Sequence, residues 1–325
     1  MTEASSTDSF AEAHPPHWAS RSAFQIIVFA LAFTQAALAF AVYRGWFWLA
    51  VPLVLVASHF MHGLLVGFHE ASHGLLRRNR TFNEVDGVLI GMLSLTSFSL
   101  YRAAHQTHHM HLAGERDEEL WPFVVPGTPR WARVLAAFFE LNFGLVATPL
   151  LFARTFFRRG SPIRSRKVRR RIWAEFALMI MVWTSILTTV AWLGAWEYFL
   201  WLYLIPACVA ANLQSWRKYI EHVGLAGNTP ISATRSIVPQ SWTGRVLAFT
   251  LLHEPYHGVH HLRMSLPHPE LPRRAPELVP TAPGELNPYP SYRHALLDLL
   301  RNLADPRVGG QWHAGTPRNT SPAEA

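Results

Sequence analysis

The sequence predicts an all-α integral membrane protein, built as two transmembrane helical hairpins, four spans in all, under a cytoplasmic helical cap. Three observations predict it. Half of the 325 residues are hydrophobic and only 15% are charged, against roughly 25% in an average soluble domain. Four uncharged stretches approach the length of about 20 apolar residues that a spanning helix needs. Basic residues, finally, crowd into one connecting segment instead of spreading along the chain. The lone cysteine, Cys208, excludes a disulfide scaffold, and so apolar a composition excludes a disordered chain. The net charge of +8 fits loops facing anionic lipid in a chain this apolar, and no nucleic-acid partner is expected.

In chain order the spans fall at residues 22–43, 45–69, 176–196 and 198–216. Very short connections join the first to the second and the third to the fourth, as hairpins require. Trp46, Trp48, Trp192, Trp196, Tyr198 and Trp201 crowd the tips, where amphipathic rings sit at the membrane interface. Residues 87–101 are apolar but too short to span. Residues 131–157 are interrupted by Arg133, Glu140 and Arg154, and a charge at the bilayer centre costs at least about 2.5 kcal/mol. Both stretches therefore read as interfacial or re-entrant. Arg154, Arg158, Arg159, Arg164, Arg166, Lys167, Arg169, Arg170 and Arg171 precede the third span, and the positive-inside rule places them in the cytoplasm. Two complete hairpins then put both termini on that side of a multi-pass membrane protein.

This divides the chain into an N-terminal cytoplasmic tail (1–21), a membrane domain (22–265) and a proline-rich C-terminal cytoplasmic segment with its tail (266–325). The N-terminal residues lack the basic leader of a signal peptide. From Pro267 to Pro290 the prolines read as extended loop, residues 292–303 as a short amphipathic helix, and the last 20 residues as a loose tail. No internal repeat and no attached redox domain are evident.

The 18 histidines are where the chemistry lies. His69 and His73 close the second span. His105, His108 and His109 lie in the middle segment, and His257, His260 and His261 follow the second hairpin. On a helix, positions i and i+4, or i, i+3 and i+4, share one face, so each group aims two or three imidazoles at one point. The predicted topology puts all three points at the same membrane face. One H-x-x-H-H is expected only about 0.05 times by chance in a chain of this histidine content, and here there are two. The first group also spells H-E-x-x-H, the zinc-protease signature. A catalytic zinc takes three protein ligands, which leaves the other groups without a task; a protease remains a remote alternative. A bis-histidine haem could use His59 and His62 in the second span, but the second hairpin offers no counterpart. Eight imidazoles exceed the needs of one ion, and two ions are the simplest fit. Imidazole suits zinc, copper, iron and nickel.

The ordered set H-x-x-x-H, H-x-x-H-H, H-x-x-H-H, split by a transmembrane hairpin, resembles the membrane fatty-acid desaturase superfamily, which also holds hydroxylases and carotenoid ketolases. Residues 69–91, HEASHGLLRRNRTFNEVDGVLIG, are similar to the first histidine box and its sequel in bacterial desaturases. The resemblance implies a histidine-rich dimetal site of non-haem iron: two iron ions, with O2 as co-substrate. It also implies a lipid or acyl substrate and a separate electron donor of ferredoxin or cytochrome b5 type. Desaturation is the expected reaction, with hydroxylation or ketolation as the alternative. Tyr219-Ile220-Glu221-His222 resembles a Tyr-x-Glu-His element of several superfamily members, membrane alkane hydroxylases among them. His222 is accordingly expected as a ninth ligand, because eight histidines leave two irons under-coordinated. His111 and His253 compete with it but lack that context. Glu70 and Glu221, each next to a ligand, are expected to orient ligand histidines through their free N–H, and Asp86 to be structural.

Overall fold

The computed structural model describes residues 22–313; the tail assigned to 1–21 and the end of the C-terminal tail, 314–325, lie outside them. The described residues are helical, with no strand beyond an isolated bridge between Ile237 and Tyr289.

Helices α1 (Ala23–Tyr43) and α2 (Phe47–Ser72) form one hairpin. Gly45, at φ +66°, takes the left-handed conformation that the reversal between them needs. The second hairpin comes last of the long elements. It joins Arg166–Leu193 to Trp196–His222, again through a left-handed glycine, Gly194 at φ +63°. By length and composition all four are fit to cross a membrane. They match the four apolar stretches read from the sequence to within three residues at the hairpin tips, and the second, third and fourth run on past them at the polar ends. Hydropathy marks only the part of a helix suited to lipid, whereas backbone hydrogen bonding continues past it. Phe29, Phe33, Trp48 and Trp192 stand more than 70% exposed on these helices. An apolar surface of this extent is foreign to a protein in water.

Between the hairpins lie α3 (Arg80–Leu93) and α4 (Phe98–Met110), bent by 99° to one another, then α5 (Arg130–Asn142) and α6 (Gly144–Phe157). The second-hairpin helices are α7 and α8. The stretch 87–101 thus contains a bend, and 131–157 is two helices. Caps explain the first break. Asn79 accepts hydrogen bonds from the backbone N–H groups of Thr81 and Phe82 to start α3, and Ser97 accepts one from Leu100 to start α4. Glu175 on α7 then fixes the start of α4, accepting from Ser97 Oγ at 2.6 Å, Ser99 N at 2.9 Å and Ser99 Oγ at 2.6 Å. The charges that interrupt 131–157 are all neutralised. Lys218 pairs with Glu140, Arg133 with Asp305, and Arg154 with Glu118. Asp86 has the structural place expected of it, 2.5 Å from Arg77 Nε.

After α8 come α9 (Trp242–Thr250), α10 (His257–Leu262), a 3-10 helix (His268–Leu278), α11 (Tyr292–Asn302) and a last 3-10 turn (Gly310–His313). The amphipathic helix at 292–303 is present. The proline-rich stretch differs from the extended loop expected: it winds into the 3-10 helix, whose Leu271, Ala275 and Leu278 pack on Tyr256 and Val259. Proline tolerates 3-10 geometry in short pieces because its fixed φ suits the tighter turn. The described part of the presumed tail is also packed. Val308 is fully buried, Gln311 Nε2 donates to the carbonyls of Ala113 and Val124, and Trp312 Nε1 donates to that of Phe123. Its glycines and polar residues concealed a docked segment that uses mainly hydrogen bonds.

The bend between α3 and α4 is close-packed at Gly91, where an added Cβ would stand 2.5 Å from the Thr96 carbonyl oxygen and 3.1 Å from the Phe68 ring. Backbone cannot yield as a side chain does. Gly91→Ala is expected to destabilise the protein by about 1–3 kcal/mol and to lower its thermal midpoint in detergent.

Candidate metal centre

The nine histidines singled out by the sequence come together at the polar ends of the helices. His69 is in the last turn of α2 and His73 caps it; His105, His108 and His109 share one face of α4. His222 ends α8, and His257, His260 and His261 lie on α10. Two sets of donors result. The ligand atoms of His69, His73, His105, His109 and His260 all lie within 4.8 Å of one another, and so do those of His108, His222 and His261; Glu221, His222 and His257 form an overlapping group.

Within the first set, His105 Nε2 lies 3.0 Å from His73 Nε2 and 3.1 Å from His109 Nε2, which is 3.1 Å from His260 Nε2. In the second, His257 Nε2 lies 2.9 Å from His222 Nε2 and 3.0 Å from His261 Nε2. Four of the opposite nitrogens are occupied by acceptors, while Nδ1 of His260 and Nδ1 of His69 have no hydrogen bond. His105 Nδ1 is 2.7 Å from Glu119, His108 Nδ1 2.8 Å from Asp117, His257 Nδ1 3.0 Å from Glu254, and His222 Nδ1 3.1 Å from the Ala233 carbonyl. His69 Nδ1 stands 3.2 Å from the other oxygen of Glu254.

This pattern tests whether a metal fits. A neutral imidazole has one N–H, and when Nδ1 donates it, Nε2 presents a lone pair. His222 and His257 both have acceptors at Nδ1, so two lone pairs meet at 2.9 Å. Without a cation between them that contact is repulsive. Two nitrogens bound about 2.1 Å from one ion and at right angles to each other stand about 3.0 Å apart. His69 Nε2, buried and without a hydrogen bond, is a further donor awaiting an acceptor. The residues fit metal ions.

Comparison with known proteins agrees with this arrangement. The family model described as fatty acid desaturase matches residues 46–293, well over half of the chain and inclusive of every one of these histidines. The chain belongs to the fatty acid desaturase family. It is also similar to the sn-1 acyl-lipid omega-3 desaturase (ferredoxin) of Synechocystis sp., 24% identical over 272 residues, which is 75% of this chain and 71% of that protein.

In this desaturase-family chain the carboxylates that hold ligand N–H groups are Glu254, Asp117 and Glu119, not the expected Glu70 and Glu221. Glu221 is paired with Arg217 at 2.7 Å and stands 3.7 Å from His257 Nε2, on the donor side of that ring. Glu70 turns toward Glu254 and the backbone of His268. Glu254 could have been found from its place three residues before His257, one helical turn away. Asp117 and Glu119 sit in an acidic run after the second box, and nothing in their spacing marks them. Glu254 is fully buried, and the two residues before it, Leu252 and His253, have φ of +49° and +57°. Left-handed backbone costs a non-glycine residue about 1–2 kcal/mol, so the chain is held out of its preferred path to bring this carboxylate in. His111 and His253 belong to neither set: His111 caps α4, and His253 lies 3.2 Å from His268. His59 meets Thr250 at 2.8 Å, so no opposing histidine faces it as an axial pair would need.

Against the effect of burial, Asp117 beside His108 raises the pKa of that imidazole, but burial favours the neutral, metal-binding form of others. It pushes His73 down to about 3 and His257 down to about 4, and holds His260 and His261 well below the ordinary histidine value. Burial works against the charge of Glu254, but His69 and Arg217 outweigh it and hold that carboxyl well below its usual range.

His222→Ala is expected to abolish activity and reduce bound metal, whereas His111→Ala should be mild; full metal content with normal turnover in the His222 variant would remove it from the ligand set. The histidine shifts also give a pH dependence. Unfolded histidines take up protons below about pH 6.5, while native His73 and His257 resist until about 3 and 4. The metal-free protein should therefore be most stable above about pH 6.5 and lose stability as the pH falls toward 4, read as a declining thermal midpoint.

Proposed function

We propose that this chain is a membrane-bound, O2-dependent desaturase that introduces a double bond into a fatty acyl or similar lipid chain, using two irons held by His69, His73, His105, His109 and His260 and by His108, His222, His257 and His261. The observation that carries the reading is an apolar cavity that ends beside the histidines. Its walls are almost wholly apolar, the character usual for sites that take small molecules. Leu64, Phe68, Ile90, Leu145 and Phe152 are among its walls, and Tyr101 closes it. The Tyr101 ring stacks on His105, with centroids 5.3 Å apart and planes 7° from parallel. A chain lying in the cavity thus has its carbons one ring from the donor cluster.

The walls do the chain's part of the chemistry. They bind methylene groups by excluding water, at about 0.8 kcal/mol for each CH2, and fix which carbon pair faces the metals. Position matters because a displacement of about 1 Å can cost ~100-fold in rate. Bound iron supplies the oxidising power of O2 toward an unactivated C–H bond. Desaturation removes two hydrogens from neighbouring carbons; these, with two electrons and two protons from a donor, reduce one O2 to two waters. The electrons come from a separate protein of ferredoxin or cytochrome b5 type, the former being named in the Synechocystis relative. A solvent-filled depression lined by Met110, His111 and Arg116 reaches His109 and His261, one from each set, and offers such a donor its approach. Four apolar helices and the family point to a membrane protein. The basic run before α7 supports the cytoplasmic orientation of the site, which puts lipid on one side and soluble reductant on the other.

Purified protein is expected to hold two irons per chain, and its expression in a host with a reductase system should yield lipids lacking two hydrogens by mass spectrometry. Gain of one oxygen instead would make it a hydroxylase. One zinc, with peptide cleavage that survives iron chelation, would make it a protease.

A further inference from the structure

The two donor sets share one carboxylate. Glu254 Oε1 forms a hydrogen bond of 3.0 Å with Nδ1 of His257, in the second set, and Oε2 lies 3.2 Å from Nδ1 of His69, in the first, an ion-pair contact between two buried atoms that have no hydrogen-bond partner. Glu119 and Asp117, by contrast, each serve one set, through His105 and His108. The bridge is itself anchored, because Arg217 donates to Glu254 Oε1 at 2.6 Å and to both oxygens of Glu221 at 2.7 and 2.8 Å. Glu254, Arg217, Glu221, His69 and His257 are all buried, so water cannot take over their contacts.

We propose that Glu254 is the positioning residue that sets both metal subsites at once, fixing the tautomer and direction of one histidine in each through its two oxygens. The proposal rests on the di-iron reading above and deepens it. Each ligand histidine must show its Nε2 lone pair to the metal, and it does so only while something accepts its Nδ1–H. A carboxylate accepts at both oxygens; a carboxamide accepts at one and donates at the other. In Glu254→Gln the carbonyl oxygen must face Arg217 and His257, which are both donors, and the NH2 group then confronts the Nδ1–H of His69. His69 can satisfy that neighbour only by moving its proton to Nε2, and so ceases to be a ligand. An isosteric substitution that creates no cavity is thus expected to unload the first subsite and leave the second intact. Asp117→Asn should do the opposite, since Asp117 holds only His108.

The test is anaerobic titration of the metal-free, full-length protein in detergent with ferrous iron, counting irons retained by the wild type and the variants. Wild type should bind two. Glu254→Gln should bind one with unchanged affinity and the other about 10–100-fold more weakly, the usual penalty for losing a ligand's hydrogen-bond partner. Combined with His73→Ala, which already disables the first subsite, it should cause no further loss; combined with His222→Ala, it should leave neither subsite loaded. Glu254→Asp, charged but too short to span both imidazoles, is the second variant and should likewise unload one subsite while sparing the other. A Glu254→Gln protein that binds both irons as tightly as wild type, or loses both equally, overturns the proposal. Wild-type protein that binds one iron or none overturns the di-iron reading and the proposal with it, and is told apart because it needs no substitution.

Discussion

Nine imidazoles with their ring nitrogens turned on one another are the constraint around which the rest of this structure is arranged. Such a cluster is repulsive by itself and gains stability from cations inside it and acceptors behind it. The donors bring no charge of their own, so the negative charge that offsets bound metal must come from the surround. Glu254, Glu221, Asp117 and Glu119 supply it within hydrogen-bonding or ion-pair distance of the rings. Burying them is tolerable because Arg217 lies between two of them, which offsets the cost of taking their charge out of water.

The helices meet that constraint by geometry. α2 and α8 pack side by side and each lifts a histidine out at its polar end. α4 reaches the same level only because of its 99° bend from α3, fixed by Glu175 from the other hairpin. α10, a single short turn and a half, is enough for three ligands because i, i+3 and i+4 already share a face. Beneath this layer the same helices enclose the apolar cavity, so one set of contacts fixes both the donors and the space where a chain would lie.

Much of this was legible in the sequence. The four spans followed from the absence of charge between Arg21 and Arg44, or between Glu175 and Glu197, since lipid exacts that composition residue by residue. The clustering of the histidines within each group followed from helical spacing. What stayed hidden depends on contacts between distant segments. Glu254 looked like any loop carboxylate until Arg217, His69 and His257 surrounded it. Glu140 read only as a charge that interrupts an apolar stretch, and Lys218 neutralises it from another helix. The cavity had no local signal at all, because Leu64, Ile90 and Leu145 belong to three different helices and are ordinary core residues in each.

The docked segment near residue 310 has a consequence in time as well as in space. Gln311 and Trp312 clasp the carbonyls of Ala113, Phe123 and Val124, the ends of the loop that carries Asp117 and Glu119. Those two carboxylates stand behind His105 and His108. During synthesis all nine histidines leave the ribosome before the clasp does. A nascent chain therefore passes through a stage in which every ligand is present while the loop behind two of them is still unfastened.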